Sequence, residues 1–353
     1  MRTIGVIMEI NPFHNGHIYF LSQIPKQEND ILVAVISTTI VQRGEISILD
    51  KRVKTKLLLD HNVDIVIELP SIQANQGGMY FASNAINILK EFNITDLYFG
   101  SESNDLESLI DMSRQNNTNN FKNGIHKENL KNLMSNDILG ISYIKALKNS
   151  NVNLNLVKRI ENFYNDSCFG DNNIQSATSI RKHFDENKDV NNFLPEEAIL
   201  NFKNINHPLL YQIFLTNLYN ALDNNINIFL SENNQLLYKL DKILKENKFE
   251  SIGALSEFAK DKNNSKYKIQ RVIMNIIFFV EQRDDINTLK YIHVLGLTNN
   301  GAKYLRNLNN DKVVTSLKNQ NCYVAKCELR ISKLVENICD FPPNLDYQAP
   351  IIK

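Results

Sequence analysis

The sequence predicts an α/β fold: a parallel sheet with helices on both faces over residues 1–190, followed by a mostly α-helical region over 191–353. Three observations predict it. Short runs rich in Ile, Val and Leu alternate with amphipathic helical stretches through the first half. That alternation stops near Pro195, after an asparagine-rich stretch, and helical periodicity takes over. The chain has 353 residues and 43% hydrophobic content, enough for a sizeable core and for two domains.

The first strand is read at Thr3–Met8, followed by a helix over Gly16–Gln23. Further strands fall at Ile31–Ile36, Asp64–Glu68, Asp96–Phe99 and Asn153–Val157. Between them the periodicity predicts helices over Asp50–Asp60, Met79–Phe92 and Leu130–Lys148. In the second region helices are expected at Leu209–Leu222, Gln235–Glu246, Ile252–Lys260 and Tyr267–Arg283, with no convincing strand alternation. Asparagine runs such as Asn116–Asn120 and Asn224–Asn225 mark loops. In open parallel sheets ligands bind beyond the carboxyl ends of the strands. Attention therefore falls on Glu9–His17, Ser37–Glu45, Gly100–Glu102 and Lys158–Ile160.

Charge is balanced, with 39 basic and 39 acidic residues, so a nucleic-acid surface has to be a local patch. The apolar stretch Val272–Val280 is interrupted by Asn275 and is too short to span a bilayer. The N-terminal residues lack a signal-peptide pattern, and a cytoplasmic protein with no membrane partner is expected. Cys168, Cys322, Cys327 and Cys339 form no C-x-x-C pair, which favours reduced structural thiols over a zinc site.

The most informative segment is Asn11-Pro12-Phe13-His14-Asn15-Gly16-His17, where the first strand turns into the first helix. A single histidine is most often a surface or satisfied core residue. Two in H-x-G-H at a helix N-terminus are harder to dismiss. The free N–H groups and dipole there favour phosphate, and Gly16 lets an anion approach the backbone. His14 and His17 are therefore the candidate catalytic residues. Ser176-Ala177-Thr178-Ser179-Ile180-Arg181 opens a later helix. Its hydroxyls would ordinarily be caps, but with Arg181 they form a second candidate phosphate contact. Val41-Gln42-Arg43-Gly44-Glu45 follows the second strand, where Gln42 and Arg43 are placed to hold a polar or anionic substrate. Gly77-Gly78 matches neither a dinucleotide fingerprint nor a Walker loop, and no H-E-x-x-H motif is present.

The H-x-G-H turn together with S-A-T-x-I-R resembles the nucleotidyltransferase superfamily of adenylyl- and cytidylyltransferases. The ordered set Glu9–His17, Val41–Glu45, Asp64–Pro70, Phe99–Glu102, Asn136–Ile141 and Ser176–Thr178 more closely resembles the bacterial tRNA(Met) cytidine acetate ligase family. Val294-Leu295-Gly296 and Ala349-Pro350-Ile351 continue it weakly. Ile10 stands where family members often carry an aromatic residue, and Thr38-Thr39-Ile40 also departs from the pattern.

The resemblance implies a Rossmann-like nucleotidyltransferase domain at 1–190 and a helical, tRNA-binding domain at 191–353. It implies a two-step ligase reaction that uses ATP as substrate. Acetate attacks the α-phosphorus to give acetyl-adenylate and pyrophosphate. The acetyl group then passes to the wobble cytidine of elongator tRNA(Met), forming N4-acetylcytidine. Carried over by position, ATP contacts fall on Ile7, Met8, Glu9, Ile10, Asn11, Pro12, Phe13, His14, Asn15, Gly16, His17, Ile18, Tyr19 and Phe20. They continue at Gly100, Asn136, Arg159 and Ile160, with Ser176, Thr178 and Arg181 added by the phosphate reading. Mg²⁺ on the phosphates fits this chemistry, although no dedicated carboxylate cage is visible and no metal ligand is assigned.

Acetate or tRNA candidates are Gln42, Arg43, Lys51, Arg52, Lys303, Arg306, Lys326 and Arg330. Lys51, Arg52, Lys54 and Lys56 read as a basic cluster near the site. A second excess runs from Lys290 to Lys333, opposed only by Asp311 and Glu328. Two other functions compete. One is an adenylyltransferase or acetate ligase acting on a small cofactor precursor or a protein thiol, which would not need the second region. The other is a non-catalytic RNA-binding protein, which would not need both histidines.

Overall fold

A computed structural model describes residues 1–114, 133–160, 173–229 and 235–353. Cys168, the Asn116–Asn120 run and residues 130–132 of the helix expected from Leu130 lie outside the described residues.

The main sheet is built on β1 (Thr3–Glu9) at its centre. On one side follow β2 (Ile31–Ser37) and then β5 (Ile65–Leu69). On the other lie β6 (Asp96–Ser101) and then β7 (Asn153–Lys158). These five strands are mutually parallel, and β1 meets β2 from Thr3↔Ile31 to Glu9↔Ser37 without a break. They agree with the predicted strands to within a residue or two at each end. A short hairpin, β3 (Ile40–Val41) with β4 (Glu45–Ile46), follows β2.

Both faces of the sheet are covered around β1, β2 and β5, which is why those strands are apolar at nearly every position. Ile4, Val6, Met8, Leu32 and Ile36 pack on one face with Leu57 and Leu58 of the helix Lys51–Asp60. Val33, Val35 and Ile67 pack on the other with Phe81 and Ile88 of the helix Gly78–Lys90. A third core joins the helices His207–Asp223, Leu236–Glu246, Lys266–Ile277 and Tyr323–Ile338 through Phe214, Leu240, Ile273 and Ile331. It also takes in Ile40, Ile46 and Ile72, so the helical part sits against the β3–β4 hairpin. The helix expected over Tyr267–Arg283 stops at Ile277, and Phe279 takes a positive φ of 51°.

The second region is mostly helical, as expected, and it also supplies strands that the sequence pattern did not mark. β8 (Ile292–Leu297) enters the main sheet antiparallel to β5, and β10 (Ile351–Ile352) and β9 (Val313–Val314) both pair with β8. The sheet thus draws strands from both sides of the 190/191 boundary. Gly296 permits it: a Cβ there would lie 2.5 Å from Thr55 Cγ2 and 3.0 Å from Leu59 Cδ1 of the helix packed across β8. Short strands set singly between helices have no alternation to reveal them.

Among the described residues, no helix is long and apolar enough to cross a membrane. Cys327 and Cys339 are buried free thiols, and Cys322 is half-buried.

Candidate active site

β1 leads on to β2 on one side and has β6 on the other, so the chain order reverses at the carboxyl ends of β1 and β6. A crevice at such a reversal is where ligands bind in open α/β sheets. The histidine turn sits there. His14 is the N-cap of the helix Asn15–Ser22, and its Nδ1 accepts the Gly16 N–H at 3.0 Å. His17 reaches back so that its Nδ1 accepts the His14 N–H at 3.2 Å, closing a capping box. With Nδ1 accepting, the proton of His17 lies on Nε2, which donates to the Glu9 carbonyl at 3.1 Å.

The same logic puts the proton of His14 on Nε2. The two rings lie 4.0 Å apart, centroid to centroid, and Phe13 stacks on His17. Burial, then His17, Arg159 and Arg181, holds His14 well below the usual histidine range. Burial brings His17 down to about 4. Both rings are therefore neutral at pH 7. His17 spends both nitrogens on backbone, whereas among the described residues the His14 Nε2–H has no hydrogen-bond partner.

Neighbouring segments hold this turn in place. Asn11 Oδ1 accepts the Ile48 N–H at 3.0 Å, and Arg181 donates to the Asn11 carbonyl at 2.5 Å and to Glu45 at 2.7 Å. Asn15 donates to the carbonyls of Asn173 and Asn192. Ser176 caps the helix Ala177–Asp185 by accepting the Ser179 N–H, and Thr178 Oγ1 accepts from Arg43 at 2.8 Å. Across the crevice Glu102 accepts from Asn136 at 2.5 Å and from the Asp137 N–H at 3.1 Å, with Arg159 Nε 3.9 Å away. Gly100 lies beneath the Arg159 stem, and Ile160 is exposed beyond it. The Gln42 N–H donates to Glu9 Oε2 at 2.8 Å, and burial raises the Glu9 carboxyl despite Arg43 nearby.

Several predicted residues thus come together at the carboxyl ends of β1 and β6: Glu9, Asn11, His14 to His17, Gln42, Arg43, Arg159, Thr178 and Arg181, with Gly100 and Asn136 near Arg159. Within Ile7–Phe20, Met8, Ile10 and Phe13 are core side chains, Pro12 is buried, and Ile18, Tyr19 and Phe20 pack against the same core. Ile7 packs on the opposite face of the sheet. These positions offer backbone rather than side chains.

The predicted basic cluster at 51–56 is corrected. Lys51 is buried and donates to Glu68 at 2.6 Å and Asp346 at 2.5 Å, with Glu328 at 3.5 Å and His293 on the far side of Glu68. Lys54 is fully buried and donates to the carbonyls of Ser37 and Thr38; burial brings it down to about 7. Arg52 is held by the Ala349 carbonyl, and exposed Lys56 pairs with Glu197. Lys51 and Lys54 cannot face RNA, because both lie on the inner side of their helix.

Lys303 and Arg306 are exposed on the helix Asn299–Leu308. That helix packs under Asp64, Phe92 and Thr3, at the amino ends of the strands and opposite the crevice. Lys326 and Arg330 lie on the helix Tyr323–Ile338, where Arg330 donates to the Phe279 carbonyl.

The sequence reading missed two parts of the site: Glu102 as the acceptor hub and the Arg181–Glu45 ion pair. Spacing could have flagged Lys51 and Lys54, which share a helical stripe with Thr55 and Leu58.

An H-x-G-H helix cap at the reversal point of a parallel sheet, facing arginines from later segments, defines a nucleotidyl-transfer type of site. The chain belongs to the HIGH nucleotidyl transferase family, which it matches over residues 1–346. Among its relatives, the tRNA(Met) cytidine acetate ligase of Thermosipho africanus is 30% identical over 86% of this chain and 82% of its own length. That of Fusobacterium nucleatum is 30% identical over 90% and 89%. Thermotoga maritima TmcAL, crystallised with alpha-thio ATP, superposes with a TM-score of 0.81 at 24% identity, over 100% of this chain and 99% of that one. This last likeness establishes the shared fold.

Proposed function

We propose that this chain is a tRNA(Met) cytidine acetate ligase that works in two steps in the cytoplasm. Acetate displaces pyrophosphate from the α-phosphorus of ATP. The exocyclic N4 amine of the wobble cytidine then attacks the acetyl carbon, AMP leaves, and the amine loses a proton. The observation that carries the reading is His14, whose Nδ1 is fixed by the Gly16 N–H so that Nε2–H is aimed as a neutral donor from a helix N-terminus. Family membership and relatives of one name along nearly the whole chain support it.

The residues divide the work. His14 donates to an oxygen of the triphosphate as charge builds there, a contribution typically worth ~100–1,000-fold in rate. His17 acts through position: it ties the Glu9 carbonyl to the His14 amide and keeps the turn rigid. Arg159 and Arg181 supply positive charge beside the rings without protonating them. Glu9, Glu45 and Glu102 each already accept a protein donor, so Mg²⁺ would enter on the triphosphate.

The test is acetate-dependent ATP–pyrophosphate exchange, followed by digestion and mass analysis of tRNA(Met) incubated with protein, ATP and labelled acetate. The expected result is exchange without RNA and N4-acetylcytidine with it. Exchange that ignores acetate, or label carried to a small cofactor or protein thiol, would overturn the reading.

A further inference from the structure

The tip of the β3–β4 hairpin stands between the crevice and the helical part. Gly44 has a φ of +76°, and a Cβ there would lie 2.5 Å from the Arg271 nitrogen, so the hairpin is seated directly on the helix Lys266–Ile277. Arg271 donates to the Gln42 carbonyl at 3.2 Å, and the Gln42 N–H in turn donates to Glu9. At this junction the Arg43 guanidinium lies over the Tyr267 ring, 5.2 Å from its centroid, while also bonding Thr178. Tyr267 keeps 38% of its surface exposed.

The charge around it is one-sided. Residues 260–271 hold five cationic side chains and one acidic one. Glu257 is shared by Lys260 and Lys266, and Asp261 pairs with Lys239. Among the described residues Lys262 is exposed and Lys268 half-exposed, and neither forms an ion pair. The other basic clusters of the sequence are elsewhere: Lys51 and Lys54 are buried, and Lys303 and Arg306 sit at the opposite end of the sheet.

We propose that Tyr267, seated under Arg43 at the mouth of the crevice, is the platform on which an unpaired base of the RNA substrate stacks, with Lys262 and Lys268 meeting its backbone phosphates. This inference rests on the acetate ligase reading and says where its RNA docks. An unstacked loop base presents a face to an aromatic ring, and the flanking phosphates need cations that are not already spent on carboxylates. The Arg43–Tyr267 pair and its two lysines offer both at the hairpin whose Gln42 bonds Glu9.

The experiment uses the full chain and unmodified tRNA(Met). Tyr267→Ala is expected to lower acetyl transfer to tRNA about ten-fold or more, with acetate-dependent exchange unchanged and Tyr267→Phe close to wild type. The double variant Lys262→Glu/Lys268→Glu is expected to weaken tRNA binding and flatten its logarithmic salt dependence by roughly 1.4–1.8. Retained exchange certifies that each variant is folded. Wild-type tRNA binding in both variants, or loss confined to Lys303→Glu/Arg306→Glu, overturns the proposal. Absence of exchange in the wild type would sink the acetate reading instead, and the binding measurements would still decide this one.

Discussion

At the carboxyl ends of β1 and β5 the protein places two polar clusters within one sheet. Under β5, Lys51 meets Glu68, Glu328 and Asp346, all buried, and His293 closes the far side of Glu68 at 2.7 Å. For Lys51 burial pushes downward, but the three carboxylates outweigh it and hold its pKa up. For Glu68 burial pushes upward, but Lys51 and His293 hold it below the usual range. Burial and the neighbouring Glu68 raise Glu328 to about 8, so it sits there as an acid at neutral pH. The groups come from the helix Lys51–Asp60, β5, β8, the last long helix and the closing segment.

At the end of β1 the histidines are instead held to backbone on one side, neutral, with arginines facing them. In the first cluster the groups are buried and bonded to one another. The second has charge and a donor left over. Completeness of pairing, rather than the density of ionisable groups, separates an internal fastening from a site.

The contrast can be broken first at Lys51. Lys51→Met strands the buried carboxylates of Glu68 and Asp346 and is expected to cost about 3–5 kcal/mol, read as a lower urea midpoint. The folded fraction should still exchange pyrophosphate. Unchanged stability would mean that the cluster does not fasten the closing segment to the sheet.

His14→Ala is expected to do the reverse: a ~100–1,000-fold loss of acetate-dependent exchange, with a cap-sized destabilisation of about 0.5–2 kcal/mol. Near-normal turnover in this variant would remove His14 from the chemistry. Gly16→Ala sharpens the same point. A Cβ there would lie 2.7 Å from His14 Cε1 and 2.9 Å from Nδ1, so the ring must swing away. A displacement of that size is expected to cost exchange about 100-fold, with the urea midpoint little changed.

A pH titration follows. His17 stays neutral in the fold down to about 4, and His14 is depressed too, whereas an unfolded histidine titrates near 6.5. Between those values the unfolded chain binds more protons, so stability is full above about 6.5 and falls as pH drops toward 4. Urea midpoints at pH 7 and 4.5 should differ in the wild type and differ less in a His14→Asn/His17→Asn variant. An unchanged difference would assign the slope to other groups. Smallest of all, Lys56→Ala removes an exposed pair with Glu197 and should leave both midpoint and exchange where they are.

Local pattern carried much of the fold. β1, β2, β5 and β6 are apolar runs buried along most of their length, whereas β7 alternates asparagine with leucine and is largely half-buried. β8 escaped because its antiparallel seat beside β5 is a contact across more than 200 residues. The histidine turn was legible because its parts are adjacent in the chain. The roles within it were not. That His17 serves backbone while His14 keeps a donor follows from distances to Glu9, His14 and Gly16 that spacing alone does not specify. The lysines near residue 51 misled for a related reason. A run of basic residues reads the same whether it faces water or Asp346, 295 positions away.

From the amino-acid order alone came the alternation that makes a parallel sheet, the turn that presents two imidazoles at a helix start, and the family to which both point. Only the tertiary structure decided which cations are spent and which remain, because the cost of a buried charge depends on partners brought together by folding. It buried Lys51 and Lys54, carried Lys303 and Arg306 to the far end of the sheet, and set Tyr267 beside Arg43 at the mouth of the crevice.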